Sequence, residues 1–202
     1  MCRLIESIRV ENGIPLNLEY HQRRVDRSRK ILFGAADRLD LSQIFPSIPP
    51  SGGTVKWRVV YGLTVVESTF GPYVAGKIRS LQMVRNNEAR YPFKYHDRAA
   101  ISDMYRRKGK CDDILVIRNG LVTDTSYANI VFFDGSSWIT PRNPLLCGTC
   151  RERLLETGRI REEEITEQDV WKFVSASLVN AMLELGEVVV RTRDIIPVPS
   201  SQ

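Results

Sequence analysis

Three places in the chain set groups able to do chemistry among neighbours that cannot. Lys94 lies in YPFKYHDR, residues 91–98, beside Tyr91, Phe93 and Tyr95. A lysine ringed by aromatic side chains loses part of its hydration, which lowers its pKa and frees the amine as a nucleophile. The same spacing fits a surface lysine that lays its stem on the rings and keeps its charge in water. Asp124 lies in GLVTDTSYANIVFFDGSSWITP, residues 120–141, between Thr123, Thr125 and Ser126. A carboxylate held among hydroxyls in a sheet can keep a cationic ring nitrogen protonated; a turn or bulge aspartate reads the same way. In LLCGTCRERLL, residues 145–155, Gly148 and Thr149 open a predicted helix. Backbone N–H groups at a helix start, with the helix dipole behind them, favour an anion, and an ordinary cap gives the same letters.

The bulk properties exclude several classes. The chain has 202 residues, 43% hydrophobic and 26% charged, enough for one large domain or two small ones with hydrophobic cores. No apolar run approaches the ~20 residues that cross a bilayer, and MCRLIESIRVENG has no apolar core of a secretory signal. A cytoplasmic protein without membrane contact is expected. Net charge is +5, from 29 basic and 24 acidic residues, with a local excess in HQRRVDRSRK at 21–30. Nucleic-acid binding calls for aromatics interleaved with such charge, and none follows Tyr20; a solvated helix face or an anionic small-molecule partner fits better. Cys2, Cys111, Cys147 and Cys150 are too few and too unevenly spaced for a disulfide framework. Cys147-x-x-Cys150 lacks the second pair of a zinc ribbon and lies too late for a thioredoxin-like motif, so no metal is expected.

These groups need elements to position them. Residues 2–11 alternate as a strand. Leu18, Val25, Ile31 and Leu32 predict a helix over 18–33, with Asn17 as its cap and Gly34 as its stop. FPSIPPSGG, 45–53, reads as a turn-rich loop, followed by the strands TVKWRVVYG and TVVESTFGPY and a third in KIRSLQMVRN. A first domain is expected to end near residue 86, and a second, carrying Lys94, to run over 92–202. Its predicted elements are a helix over 96–108 closed by Gly109, then strands joined by the hairpin signals Asn119-Gly120 and Asp134-Gly135. A helix over 149–157 closed by Gly158 follows, then a helix start in REEEITEQD with Thr166 as cap, and strands near 173–182 and 187–193. The tail PVPSSQ reads as loose.

A lysine for a Schiff base, a carboxylate for a ring nitrogen and a cradle for a phosphate are together the needs of pyridoxal 5′-phosphate. On those residues the chain resembles the class IV aminotransferase family, the fold-type IV pyridoxal-phosphate enzymes, over nearly its whole length. IESIRVENGIPLNLEYHQRRVDRS resembles the family's opening, a strand with E-x-I-R and a helix with H-x-x-R, which puts His21 and Arg24 in register. FKYHDR resembles the segment of the Schiff-base lysine. DDILVIRNGLVTDTSYANIVFFDGSSWITP resembles the stretch where an acidic residue follows V-T and an asparagine comes five residues on, giving Asp124 and Asn129. LLCGTCRERLLE resembles the phosphate loop, giving Gly148, Thr149, Cys150 and Arg151, and LVNAML supplies Asn180. Asp124 stands where most members carry glutamate, and Cys150 where a threonine is usual.

The resemblance implies an α+β fold of two domains. A small N-terminal α/β domain would precede a larger β-barrel-like domain with flanking helices, in a homodimer. It implies Lys94 as the catalytic and Schiff-base residue and Arg24 as the phosphate-binding arginine. Asp124 would face the ring nitrogen, with Asn129, Gly148, Thr149, Cys150 and Asn180 also at the cofactor. The short form is similar to the 4-amino-4-deoxychorismate lyase group, which implies formation of p-aminobenzoate and pyruvate from a small anionic substrate, with Lys56 or Arg58 as candidates to face it. A branched-chain or D-amino-acid transaminase is the alternative, and a non-catalytic cofactor binder or basic interaction domain a third reading.

Overall fold

The structure, a computed structural model, describes residues 2–46 and 53–199. It divides into two compact units, Met1–Ala75 with Phe93–Asp97, and Gly76–Pro92 with Arg98–Gln202.

The first unit contains β1 (Leu4–Glu11), β2 (Ile14–Pro15), α1 (Leu18–Phe33), α2 (Leu41–Ile44), β3 (Thr54–Tyr61) and β4 (Val65–Pro72). The strands form one antiparallel sheet in the order β2-β1-β3-β4. Leu4, Ile8 and Val10 of β1 and Val55, Trp57, Val59 and Tyr61 of β3 bury their side chains with Val25 of α1 and Leu41 of α2. The β3 positions alternate because side chains two apart share a face of the sheet. Polar bonds also dock α1: Gln22 donates to the Leu39 carbonyl and accepts from the Leu41 N–H, while Arg29 donates to the Leu63 carbonyl and pairs with Asp37. Gly34 closes α1 at φ 64, as its position predicts. Asn17 is itself left-handed at φ 53 and makes no side-chain cap bond, so it acts as a turn residue rather than as the expected cap. Of the expected loop at 45–53, residues 47–52 lie outside the described residues.

The second unit contains β5 (Leu81–Arg85), α3 (Ala99–Tyr105), β6 (Asp113–Arg118), β7 (Leu121–Thr125), β8 (Asn129–Phe133), β9 (Trp138–Pro141), α4 (Thr149–Glu156), β10 (Arg161–Glu163), β11 (Ser175–Val179), β12 (Val189–Arg191) and β13 (Ile195–Ile196). They build a nine-stranded sheet in the order β10-β9-β8-β7-β6-β5-β13, from which β11 and β12 branch at β8. The β5–β6, β5–β13 and β9–β10 pairs are parallel. Asn119 and Gly120 turn β6 into β7 at φ 53 and 78, the positive pair that a type I′ turn requires. Asp134 turns β8 into β9 by accepting the N–H groups of Ser136 and Ser137 on its side chain. Leu154 and Cys150 of α4 pack against Val131 of β8 and Val179 of β11.

Some elements differ from expectation. The helix over 96–108 is α3 followed by a 3₁₀ turn at Arg106–Lys108, with Gly109 at φ 57. The acidic run does not start an α-helix. Its first residues pair in parallel with β9; Thr166 and Asp169 then exchange hydrogen bonds, and only a 3₁₀ turn, Asp169–Lys172, follows, with Gln168 rather than Thr166 at its cap position. The expected domain boundary near residue 86 also moves. β5 is stitched to β6 and so belongs to the second unit. The segment with Lys94 pairs with β1, through the Leu4–Tyr95 bridge and the Ile5 N–H on the Lys94 carbonyl, and so belongs to the first.

Candidate functional site

The expected site residues fall into two groups, one in each unit. In the first unit β1 and α1 face each other through a buried carboxylate, Glu6. It accepts from Arg24 Nε at 2.8 Å and Nη2 at 2.5 Å, and contacts His21 Nδ1 at 2.6 Å. Glu6 is fully buried and His21 1% exposed. His21 and Arg24 stand three apart on one helix and therefore share its inner face. Burial by itself would raise the Glu6 carboxyl; the Arg24 charge and the hydrogen bonds from His21 and Arg24 outweigh it and bring the pKa down to about 2. His21 is also pushed below its usual value, by burial above all, with the Arg24 and Lys94 charges adding to it against the pull of Glu6. Lys94 is half-buried, tied to β1 through its backbone and flanked by Phe93 and Tyr95, whose rings meet edge to face at 6.0 Å. Arg24 is thus held from its Nε edge by Glu6. Arg58, on β3, pairs with Glu67 at 3.4 Å; Lys56 lies two residues before it on the same strand.

In the second unit Asp124 and Asn129 are directly paired across β7 and β8. Asn129 Nδ2 donates to Asp124 Oδ1 at 2.7 Å and to the Leu146 carbonyl at 2.8 Å, while the Leu146 N–H donates to Asp124 Oδ2 at 2.9 Å. The Asp124 carboxylate is 5% exposed. Burial pushes its pKa up to about 6, against the lowering by the Leu146 N–H, the Asn129 amide and the Arg151 charge. Gly148 precedes α4 as its cap residue and has no side chain to close the helix start. A Cβ there would stand 2.1 Å from Asn129 Oδ1, so only glycine lets the α4 entrance approach the Asp124–Asn129 pair.

The neighbours of Gly148 turn inward. Thr149, Cys150 and Arg151 are all buried. Arg151 Nη2 donates to the Pro141 carbonyl and pairs with Glu162 of β10, each a hold on the first turn of α4. Cys150 Sγ lies 3.7 Å from the Leu183 carbonyl and 3.8 Å from Arg153 Nη2. Its thiol is pushed up to about 11 by burial, with Glu184 adding and Arg153 opposing, so it is a packed neutral group. Asn180 Nδ2 reaches the Tyr127 carbonyl at 3.3 Å and its Oδ1 accepts the Met182 N–H at 2.8 Å. The second unit therefore gathers Asp124, Asn129, Gly148 and the α4 entrance, and fixes Asn180 beside the β7–β8 loop. Sequence reasoning missed the part of Glu6, whose signal was its place two residues before Ile8 in E-x-I-R, and that of the Leu146 backbone, which no side-chain pattern marks.

The mixed α/β fold dominated by sheets matches the fold-type IV architecture. The amino-transferase class IV family model matches residues 3–190, and the chain belongs to that family. A Haemophilus influenzae protein described only as uncharacterized is 34% identical over 186 residues, 90% of this chain and 98% of its own. The crystal structure of a "putative 4-amino-4-deoxychorismate lyase" from Haemophilus somnus 129pt superposes with a TM-score of 0.82 at 31% identity, covering 92% of this chain and 98% of that one. A hypothetical aminotransferase from Mycobacterium tuberculosis in its PLP-bound form shares the fold, with a TM-score of 0.74 at 16% identity over 98% of this chain and 84% of that one. The family is pyridoxal-phosphate dependent.

Proposed function

We propose that this chain is a pyridoxal-phosphate lyase that converts 4-amino-4-deoxychorismate to p-aminobenzoate and pyruvate. The observation that carries the reading is the buried Asp124–Asn129–Gly148 cluster, in a chain 31% identical over nearly all its length to a structure carrying that lyase name. The residues fit the cofactor. Asp124 is a carboxylate whose charge burial disfavours, so a cationic ring nitrogen is the partner it lacks. The α4 start is gated by a glycine and has no side-chain cap, which suits a phosphate. Bound there, pyridoxal phosphate supplies an electron sink for the pair left by a broken C–H bond.

The chain's own groups then have separate tasks. Asp124 holds negative charge at the ring nitrogen, and Asn129 and the Leu146 N–H fix its oxygens. Thr149 and the first N–H groups of α4 hold the phosphate, with Arg24 as the arginine that Glu6 orients. Lys94 would hold the cofactor, and its free amine would take the proton from the amine-bearing ring carbon of the substrate. The C–O bond to enolpyruvate on the neighbouring carbon breaks, and aromatisation makes the step irreversible. The same reading makes the protein a cytoplasmic homodimer acting on a small anionic molecule.

The family's own name supports a transaminase as the second reading; a branched-chain or D-amino acid would be its substrate, a keto acid its product, and Lys94 the group that moves the proton. The two differ in one requirement. With enzymatically made 4-amino-4-deoxychorismate, equal release of p-aminobenzoate and pyruvate without an added keto acid, lost in Lys94→Ala, is the expected result. Protein that holds a borohydride-reducible cofactor yet releases neither product sinks the lyase and favours the transaminase.

A further inference from the structure

Outside the Asp124 cluster, the second unit gathers cations along one strand. Residues 98–110 hold five cations and one acid, and the run from Tyr105 to Lys110 reads YRRKGK. This run forms the end of α3 and the 3₁₀ turn Arg106–Lys108, which packs beside β5 and β6. Two anchors fix it along β5. At one end Arg107 Nη1 donates to the Arg85 carbonyl at 3.1 Å. At the other, Lys108 Nζ donates to the Cys111 carbonyl at 2.9 Å, and Asp112, the next residue, accepts the N–H groups of Arg79 and Ser80. Arg79, Arg85, Arg106, Arg107 and Lys110 are exposed, and Lys108 is half-buried. Together they form a strip that follows β5, roughly 15–20 Å long at ~3.3 Å per strand residue.

The nearby acids neutralise only part of this charge. Arg106 pairs with Asp103 and Arg85 with Glu167. Asp112 is committed to backbone N–H groups. Arg107 and Lys108 rest on neutral carbonyls, which set where their charges stand without cancelling them. Cations fixed in place lose little freedom when an anion arrives, so more of their attraction appears as affinity. Length and surroundings select the anion. A small dianion is too short to reach both ends of the strip. Single-stranded nucleic acid needs aromatic faces for its bases, and the ring of Tyr105 already has Lys108 Nζ 5.4 Å from its centroid. A lipid surface needs apolar side chains that insert beside the charge, and Met104 and Cys111, which flank the turn, are buried. An extended polypeptide of about six residues has the length, and acidic side chains supply the charge.

We propose that this strip is a docking face for an acidic segment of another protein, its carboxylates laid over Arg79, Arg107, Lys108 and Lys110. The inference stands whether or not the lyase reading does.

The probe is fluorescein-labelled decaglutamate, titrated with the full chain as purified at about 0.15 M salt and followed by fluorescence anisotropy. Saturable binding is expected, weakened about tenfold or more in the triple variant Arg107→Ala, Lys108→Ala, Lys110→Ala. Lys110→Glu alone leaves both anchors in place; it is expected to weaken binding about threefold or more, and it decides the matter if the triple variant fails to fold. A second triple variant, Arg27→Ala, Lys30→Ala, Arg38→Ala, removes the same charge from exposed positions of the first unit and is expected to bind as the wild-type chain does. Equal weakening by the two triple variants means attraction to net charge alone and overturns the proposal, as does the absence of saturable binding or full binding by Lys110→Glu. Labelled ten-nucleotide single-stranded DNA binding as tightly as the peptide also overturns it, and assigns the strip to nucleic acid.

Discussion

Glu6 and Asp124 are both buried carboxylates, and their surroundings drive them in opposite directions. Glu6 has a guanidinium and an imidazole within hydrogen-bonding distance and is held at about 2. Asp124 has only neutral donors within that distance and is held at about 6. Glu6 is the fully buried member of its pair with the half-buried Arg24, so breaking that pair in Glu6→Gln is expected to cost about 3–5 kcal/mol, read from denaturant midpoints. For Asp124 the readout is cofactor affinity. Below pH 6 the cofactor-free carboxyl takes up a proton and loses its attraction for a cationic ring nitrogen, so affinity for added pyridoxal phosphate should fall about tenfold between pH 7 and pH 5. Fluorescence titration at each pH checks this; a flat profile removes Asp124 from the ring nitrogen. Gly148→Ala tests the close approach. Its new Cβ would meet Asn129 Oδ1 at 2.1 Å, and backbone there is not strained at φ −75. The expected outcome is a loss of about 1–3 kcal/mol from overpacking, with weaker cofactor retention because Asn129 is pushed off Asp124.

At the scale of elements, turns and strand alternation were legible and pairings were not. Asn119-Gly120 announced the β6–β7 turn because few other dipeptides accept two positive φ values; Gly120→Val, a β-branched residue at φ 78, should cost about 1–3 kcal/mol in thermal melts. The helix over 18–33 was legible from its spacing and from Gly34, whereas Asn17 looked like a cap because its letter does not reveal that its own backbone is left-handed. The acidic run at 161–169 misled for a related reason. Thr166 and Asp169 do exchange hydrogen bonds, but the cap position falls on Gln168, and β9 offers Arg161–Glu163 a parallel partner that no local pattern shows. The site was readable only as far as side chains carry it. Asp124 stood out by its place among hydroxyls and Gly148 by its place at a helix start, while Asn129 came from the family resemblance; the structure hydrogen-bonds Asp124 to Asn129 and brings Gly148 close against Asn129. The Leu146 N–H that completes the cluster has no sequence signature, because any residue supplies a backbone donor.

At the scale of the whole molecule, the two units respond differently to acid. The Glu6 contribution, on the order of 3 kcal/mol from its shift from 4.5 to about 2, is full above pH 4.5 and is lost as pH falls through 2. Asp124 acts with the opposite sign. Its folded pKa exceeds the ordinary 3.8, so its stabilising contribution is full below 3.8 and is lost as pH rises through about 6. Acid should therefore loosen the first unit before the second in the cofactor-free protein. Trp57 is buried in the first unit, and Trp138 and Trp171 lie in the second. With Trp138 and Trp171 replaced by Phe, Trp57 emission should change at a higher pH than it does for the second unit's tryptophans in a Trp57→Phe chain. Coincident acid transitions would show that the two units fold as one.

β13 carries a consequence for the order of assembly. Ile195 and Ile196 lie in parallel against Leu81 and Gln82, and Gln82 Nε2 reaches the Pro197 carbonyl 115 residues away. Until residue 197 has left the ribosome, the Leu81–Gln82 end of β5 lacks the strand that pairs with it. A nascent chain arrested anywhere short of that point carries an open strand edge, the kind of surface that recruits other unfinished chains. The closing pair is short and its loop long, so it forms last and reopens first. Ile195 is buried and Ile196 exposed, so the pair adds little to the core, and its consequence is that the Leu81–Gln82 end of that edge stays uncovered until the last residues of the sheet are made.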